Sequence, residues 1–296
     1  MREYCQLVPD QDAVLFDRSA APGQHVIAIG EDIAAGQVAL SAGRRLRPQD
    51  IALLTALQVD CCWVVRQPRV RLLVTGSELV PPGTPPSAGQ IIDSNTPMLT
   101  ALIQRDGGVL LELQRRPDQL VALRQALHDA RDSLADLLLV CGGSSQGDQD
   151  YMPQLVAEMG ELLYHGVAIK PGKPTAVGWL HRDPTPLPVV LLPGYPAACL
   201  AAYELVAGRI LRCLAGRDWN LPHRTRILPL QASIPSQLGR LDWVRVRLHQ
   251  QQAVPLLQRG ASSIYSLSEA DGFVLVPEEV AEYPAHTLVT VYLFDD

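Results

Sequence analysis

Lysine is almost absent from this chain. Of its 25 basic residues only Lys170 and Lys173 are lysines, and the other 23 are arginines. Those arginines are scattered rather than gathered into a stripe, and the formal charge is -6, which argues against a binder of duplex nucleic acid. The six cysteines (Cys5, Cys61, Cys62, Cys141, Cys199 and Cys213) contain no C-x-x-C pair, and most sit inside apolar runs. There a thiol acts as a small hydrophobe, as expected in a reducing cytoplasm. No apolar run approaches the roughly 20 residues of a membrane span, and no cationic, cleavable leader opens the chain. No Ser-His-Asp or Cys-His arrangement stands out, and there is no internal repeat or low-complexity tract. The expectation is a soluble, cytoplasmic protein with protein or small-molecule partners, neither nucleic acid nor membrane.

What is present is enough apolar sequence, 47% of 296 residues, to build two or three domains. Residues 1–67 alternate short apolar runs with Gly and Pro and end in a helix pattern, "RPQDIALLTALQV", so a small, mostly β segment is predicted. Residues 68–216 alternate strands ("VRLLVTG", "VLLELQ", "ADLLLVCGG", "HGVAIK", "TAVGWL", "PVVLLPG") with amphipathic helices ("SNTPMLTALIQRDGG", "PDQLVALRQALHDARDSL", "YMPQLVAEMGELL", "PAACLAAYELVAGRILRCLAG"). That alternation predicts a three-layer α/β/α domain. Residues 222–296 give short strands split by Pro and Gly, a small all-β domain.

Ligands of an open α/β sheet bind beyond the carboxyl ends of its strands, and the polar clusters fall there. Strand ends run into Thr75, Gly76 and Glu78; into Gly142, Gly143, Ser144, Ser145, Gly147, Asp148 and Asp150; into Lys170 and Lys173; and into Pro193, Gly194 and Pro196. Ser94 or Asn95 caps the helix after the first strand. The Gly-Gly-Ser-Ser run either cradles an anion with its backbone N–H groups or is a turn capped by Asp148 or Asp150. Two lysines on a proline-stiffened turn, in a chain that otherwise uses arginine, suit a small oxyanion that a planar guanidinium fits poorly. Glu31, Asp32, Glu78, Asp148 and Asp150 are candidate carboxylates for a hard cation; their alternatives are helix caps and surface acids. His165 reads as half-buried, and Met152 and Met159 as core.

The stretches "GQHVIAIGEDIAAGQ", "PRVRLLVTGSEL", "GQIIDSN", "CGGSSQGDQD", "VAIKPGKPTAVG", "LPGYPAACLAAYEL", "GRLDWVRV" and "GASSIYSLSEADGFVLVP", in this order, resemble the molybdopterin molybdotransferase family (MoeA and the gephyrin E-domain). The resemblance spans nearly the whole chain. It implies an α/β molybdopterin-binding domain flanked by a partial N-terminal β-rich segment and a C-terminal small β-barrel. It implies insertion of molybdate into molybdopterin adenylate with release of AMP, in the presence of Mg²⁺. The substrate would come from a molybdopterin adenylyltransferase, and the working form would be a homodimer. Carried over residue by residue, Gly142 to Ser145 would take the pterin phosphate, Asp148 and Glu31 the metal, and Lys170 and Lys173 the molybdate, with Arg240 or Arg245 and Ser262. Ser77, Tyr195 and Ala198 replace the family's usual Asp, Asn and Ser. Members also carry a "DNSAMDGYA"-like N-terminal motif that does not occur here, so slow turnover by this chain alone is expected. The alternative is a non-catalytic molybdopterin-binding or scaffold paralogue.

Overall fold

The computed structural model describes residues 4–8, 10, 12–19, 21–142, 151–257 and 260–294. The chain divides into two compact units, residues 1–60 and 61–296. In the first, β1 (Cys5–Val8) and β2 (Ala13–Phe16) form an antiparallel hairpin, and α1 (Pro48–Ala56) follows far along the chain. Buried Asp50 fixes the start of α1 by accepting the Arg47 N–H at 2.9 Å and the Arg44 guanidinium at 2.7 Å.

The described residues between that hairpin and α1 form no strand, although the sequence alternates there. Gly23, Gly30, Gly36 and Gly43 sit at φ between +79° and +85°, and such left-handed turns cut the apolar runs too short to pair. Three of these turns share one device: the side chain of the residue after the glycine folds back to accept a backbone N–H. Gln24 accepts from Ala21 at 3.0 Å, Glu31 from Ala28 at 2.8 Å and Gln37 from Ala34 at 3.2 Å.

In the second unit the central sheet takes β3 (Arg69–Thr75), β6 (Val109–Arg116), β7 (Leu137–Cys141), β8 (Gly160–His165), β10 (Ala176–Leu180) and β11 (Leu187–Leu192), in the order β6-β3-β7-β11-β10-β8. The first four are parallel, and β10 is antiparallel to both its neighbours. Helices α3 (Leu120–Arg131) and α4 (Tyr151–Met159) bury Leu123, Leu127, Met152 and Leu155 on one face. On the other face α2 (Asn95–Arg105) and the α5 (Pro196–Ala202) to α6 (Gly208–Leu214) run bury Leu99, Ile103, Cys199 and Leu211. The expected three layers are there; β7 is apolar throughout and β3 is apolar at Val70 and Leu72–Val74 because both faces are covered, with buried Arg71 paired to Glu112 at 3.0 Å.

Two local expectations change. The helix predicted over 151–163 stops at Met159, and "GELLYH" is β8. A Cβ on Gly160 would lie 1.8 Å from the Trp179 carbonyl oxygen, so glycine is what lets β8 pair closely with β10. His165, at the exposed end of β8, is not half-buried. Met152 is buried and Met159 packs against the same core.

The carboxyl-terminal sheet runs β12 (Thr225–Pro229), β18 (Leu288–Leu293), β16 (Gly272–Val276), β14 (Leu241–His249) and β15 (Gln252–Pro255), all antiparallel. Its edges meet at one parallel bridge, Leu230 with Ala253, rather than along a closing ladder. Two short ladders complete the strands: β4 (Leu79–Val80) with β5 (Ile91–Ile92), and β13 (Ile234–Pro235) with β17 (Glu282–Tyr283). Strand β9 (Ile169–Lys170) leaves the α/β layer to pair in parallel with β14, Ile169 opposite Leu241 and Lys170 opposite Asp242. Among the described residues no helix is long and apolar enough to cross a membrane.

At the amino ends of β3 and β7, Asp136 accepts the Arg69 N–H at 2.6 Å and the Arg66 guanidinium at 2.7 and 2.8 Å. The Arg66 hydrogen bonds hold its carboxyl down at about 2, against an ordinary 3.8. A carboxyl depressed in the folded state contributes stability above its unfolded pKa and loses it as pH falls through the folded value. Acid unfolding followed by circular dichroism should therefore steepen between about pH 4 and pH 2, and Asp136→Asn should flatten that part of the curve.

Candidate functional site

The strand ends form the floor. Gly142, directly after β7, has φ +93°, and a Cβ there would lie 2.4 Å from the Thr75 carbonyl oxygen at the end of β3. Its N–H donates to the Leu192 carbonyl at 3.1 Å, so three strand ends lie side by side. A Cβ on Gly194 would meet only the Gly142 Cα, at 3.8 Å. Asn95, in the first turn of α2, staples this floor by donating from Nδ2 to the Gly194 carbonyl at 2.7 Å and to Cys141 Sγ at 3.3 Å.

Ser94 holds the N-cap position of α2, as one of the two expected residues, but the capping bonds come from Asp93, one residue earlier. Asp93 accepts the Thr96 N–H at 3.0 Å and the Thr96 hydroxyl at 2.5 Å, and Arg115 Nε donates to it at 3.1 Å. The sequence signal was an Asp three residues ahead of a Thr. Ser94 makes no capping bond and lines the cleft instead.

Above the floor lies a cleft of about 960 Å³. It brings together Thr75, Glu78, Ser94, Asn95, Gly142, Pro193, Gly194, Pro196 and Ser262 from the expected set. Asp93, Asp118, Cys141 and Tyr195 also line it; Cys141 and Tyr195 lie in the strand-end loops that the sequence singles out, whereas Asp93 and Asp118 are not among its candidates. Gly76 borders a smaller neighbouring recess with Ser77, Arg115 and Arg116. Thr75 Oγ1 and Asn95 Oδ1 are buried and have no hydrogen-bond partner among the described residues, so the floor has unused polar capacity.

The lysine turn is braced from both sides. The Val167 N–H donates to the Lys173 carbonyl at 2.9 Å, and buried Thr175 donates its hydroxyl to the Gly172 carbonyl at 2.6 Å. On the other side the Leu241 N–H donates to the Ala168 carbonyl at 2.8 Å. This pairing with β14 brings Arg240 and Arg245 to Lys170 and Lys173 around a second cleft of about 570 Å³. The two clefts share Pro174, Pro193 and Tyr195, and they adjoin at Tyr195, a ring 65% exposed at the N-cap of α5.

The four cations differ in how far they are already engaged. Arg240 donates to Asp242 at 2.8 Å and to Gln237 at 2.9 Å, and buried Arg245 donates to the Ser266 hydroxyl. Both lysines are exposed and form no ion pair among the described residues. Ser262 reaches the cleft because the Ala197 N–H, at the start of α5, donates to the Ala261 carbonyl at 2.9 Å.

Glu31 lies in the 1–60 unit, where its carboxylate closes a turn as Gln24 and Gln37 do. Gly143, Ser144, Ser145, Gly147, Asp148 and Asp150 lie outside the described residues. Among the described residues no three His, Cys, Asp or Glu side chains cluster as a metal shell requires.

Three family models match the chain: the MoeA N-terminal region (domain I and II) over residues 1–57, the "Probable molybdopterin binding domain" over 71–212, and the MoeA C-terminal region (domain IV) over 228–294. The chain is 33% identical to molybdopterin molybdenumtransferase 2 of Mycobacterium tuberculosis over 95% of its own length and 70% of the relative's. It is 30% identical to the molybdopterin molybdenumtransferase of Haemophilus influenzae over 100% of its length and 73% of the relative's. A crystal structure of the molybdopterin biosynthesis MoeA protein of Pyrococcus horikoshii superposes with a TM-score of 0.82 at 32% identity, covering 99% of this chain and 71% of that one. On these matches, and with the strand-end clefts where that family's motifs fall, the chain belongs to the MoeA family of molybdopterin molybdenumtransferases.

Proposed function

We propose that the protein is a molybdopterin molybdotransferase, taking molybdopterin adenylate and molybdate as substrates and releasing AMP. One observation carries this reading: a large glycine-floored cleft adjoins a smaller one bearing two lysines free of ion pairs among the described residues. A bulky adenylylated pterin suits the first, and a compact dianion suits the second.

In this reading Lys170 and Lys173 hold molybdate against the edge of the pterin cleft. The ammonium groups offset the charge of the oxyanion where a neutral wall would repel it. Arg240 and Arg245 shape the far wall from positions already fixed by Asp242 and Ser266. Gly142 and Gly194 admit the ligand to the strand ends, Thr75 and Asn95 offer it their unused polar atoms, and Ser262 closes the mouth. Gly143, Ser144, Ser145, Gly147 and Asp150 belong to the same reading as substrate-binding residues.

Magnesium, with Asp148 and Glu31 as its ligands, would offset phosphate charge when bound and belongs to the same proposal. So do a homodimer, a preceding adenylyl-transferring enzyme that supplies the substrate, and the division into 1–67, 68–216 and 222–296. The test is AMP release by the purified chain from molybdopterin adenylate. Release that requires molybdate supports a transferase. Tight binding of the adenylate with no molybdate-dependent release would point to the scaffold paralogue.

A further inference from the structure

Cys141 and Cys199 are both buried, and their sulfurs lie 3.9 Å apart. They join different elements, the end of β7 and the first turn of α5, beneath the floor of the first cleft. Cys141 borders that cleft as well as the core, so only a small solute entering the cleft comes near it. We propose that Cys141 and Cys199 are an oxidant-sensitive dithiol that closes to a disulfide under the floor of the substrate cleft.

The positions of the donors order the two sulfurs. Asn95 Nδ2 donates to Cys141 Sγ at 3.3 Å. The Cys199 thiol is pushed well up by its hydrogen bond to Cys141 and by burial, so it keeps its proton, while Cys141 Sγ also lies 4.0 Å from the Pro193 carbonyl oxygen, to which it donates. Of the two sulfurs, that of Cys141 belongs to the residue that borders the cleft and receives the Asn95 amide, so it is the one placed to react first. With hydrogen peroxide as oxidant, Cys141 Sγ attacks one peroxide oxygen, the O–O bond breaks, and one water leaves, giving a sulfenic acid. Cys199 Sγ then attacks Cys141 Sγ, the S–O bond breaks, and a second water leaves with the Cys199 proton. The two thiols lose two electrons, and peroxide is reduced to two waters.

A disulfide needs its sulfurs about 2 Å apart, so the pair must close by roughly half its present separation. Such closure withdraws Cys141 Sγ from Asn95, whose other bond holds the Gly194 carbonyl. Oxidation would therefore loosen the staple of the floor. Among the other cysteines, Cys61, Cys62 and Cys213 are exposed and will react with oxidant on their own account.

The experiment treats the full chain with hydrogen peroxide near neutral pH, blocks the remaining thiols with an alkylating agent, and digests it without reductant for mass spectrometry. A peptide linking Cys141 to Cys199, lost on adding dithiothreitol, is expected in most molecules. Alkylated Cys141 and Cys199 after full oxidation of the exposed cysteines would overturn the proposal. A variant with Cys5, Cys61, Cys62 and Cys213 all changed to Ser should lose both of its thiols and a mass of two hydrogens. Should that variant fail to fold, the wild-type digest still decides. Cys199→Ser should leave Cys141 unable to form the link. None of these readouts depends on molybdopterin, so their failure is separate from failure of the transferase reading.

Discussion

With Lys170→Ala and Lys173→Ala combined, AMP release at limiting molybdate should fall by about a hundredfold or more, while the melting temperature stays within about 2 °C of wild type. The two halves of that expectation have different causes. Both side chains are exposed and lack ion pairs among the described residues, so folding loses little when they are cut back. The turn itself stays, because it rests on the Thr175 hydroxyl, the Val167 N–H and the pairing of β9 with β14. Binding loses two positive charges from a cleft whose arginines are already engaged with Asp242 and Ser266. Restoring charge as Lys170→Arg with Lys173→Arg should recover only part of the activity, since a planar fork does not match a compact oxyanion. Calorimetry with molybdate gives the direct check. Unchanged affinity in the alanine variant would remove the lysine turn from the site.

Much of the α/β layer was legible because its physics is local. Strands β3 and β7 are covered on both faces and read as apolar runs, unbroken in β7 and interrupted only by Arg71 within the core of β3, and the polar loops after them fall at the carboxyl ends where such sheets bind ligands. The nearness of Arg240 and Arg245 to the lysine turn was not legible from spacing. It depends on β9 leaving one sheet to pair with β14 of another, and no residue near Lys170 announces that pairing; only the family resemblance suggested it. Gly160 misled for a related reason: the apolar "GELL" continues the period of α4, and the cue that it is a strand is the Trp179 carbonyl packed against a glycine distant in sequence. The turn role of Glu31 was not legible either: its carboxylate accepts the Ala28 N–H as Gln24 and Gln37 accept theirs with neutral side chains, a pattern that shows only once the turns are folded.

The two floor glycines should separate folding from binding. Gly142→Ala places a methyl 2.4 Å from the Thr75 carbonyl oxygen at a backbone of φ +93°. Neither side can retreat, because the pairing of Val74 with Cys141 fixes β3 against β7 one residue away. The expected cost is about 3 kcal/mol, a fall in melting temperature of roughly 6–12 °C for a unit of this size. Gly194→Ala meets nothing nearer than the Gly142 Cα at 3.8 Å, an ordinary contact, and its φ is not left-handed. Its melting temperature should match wild type. Yet its methyl would stand on the floor where a ligand must approach the strand ends, and affinity for molybdopterin adenylate should fall by about tenfold or more. Calorimetric melting and equilibrium binding of both variants test the pair. A Gly142→Ala protein as stable as wild type would contradict the close approach of β3 and β7. A Gly194→Ala protein that binds the adenylate with wild-type affinity would move the ligand off this floor.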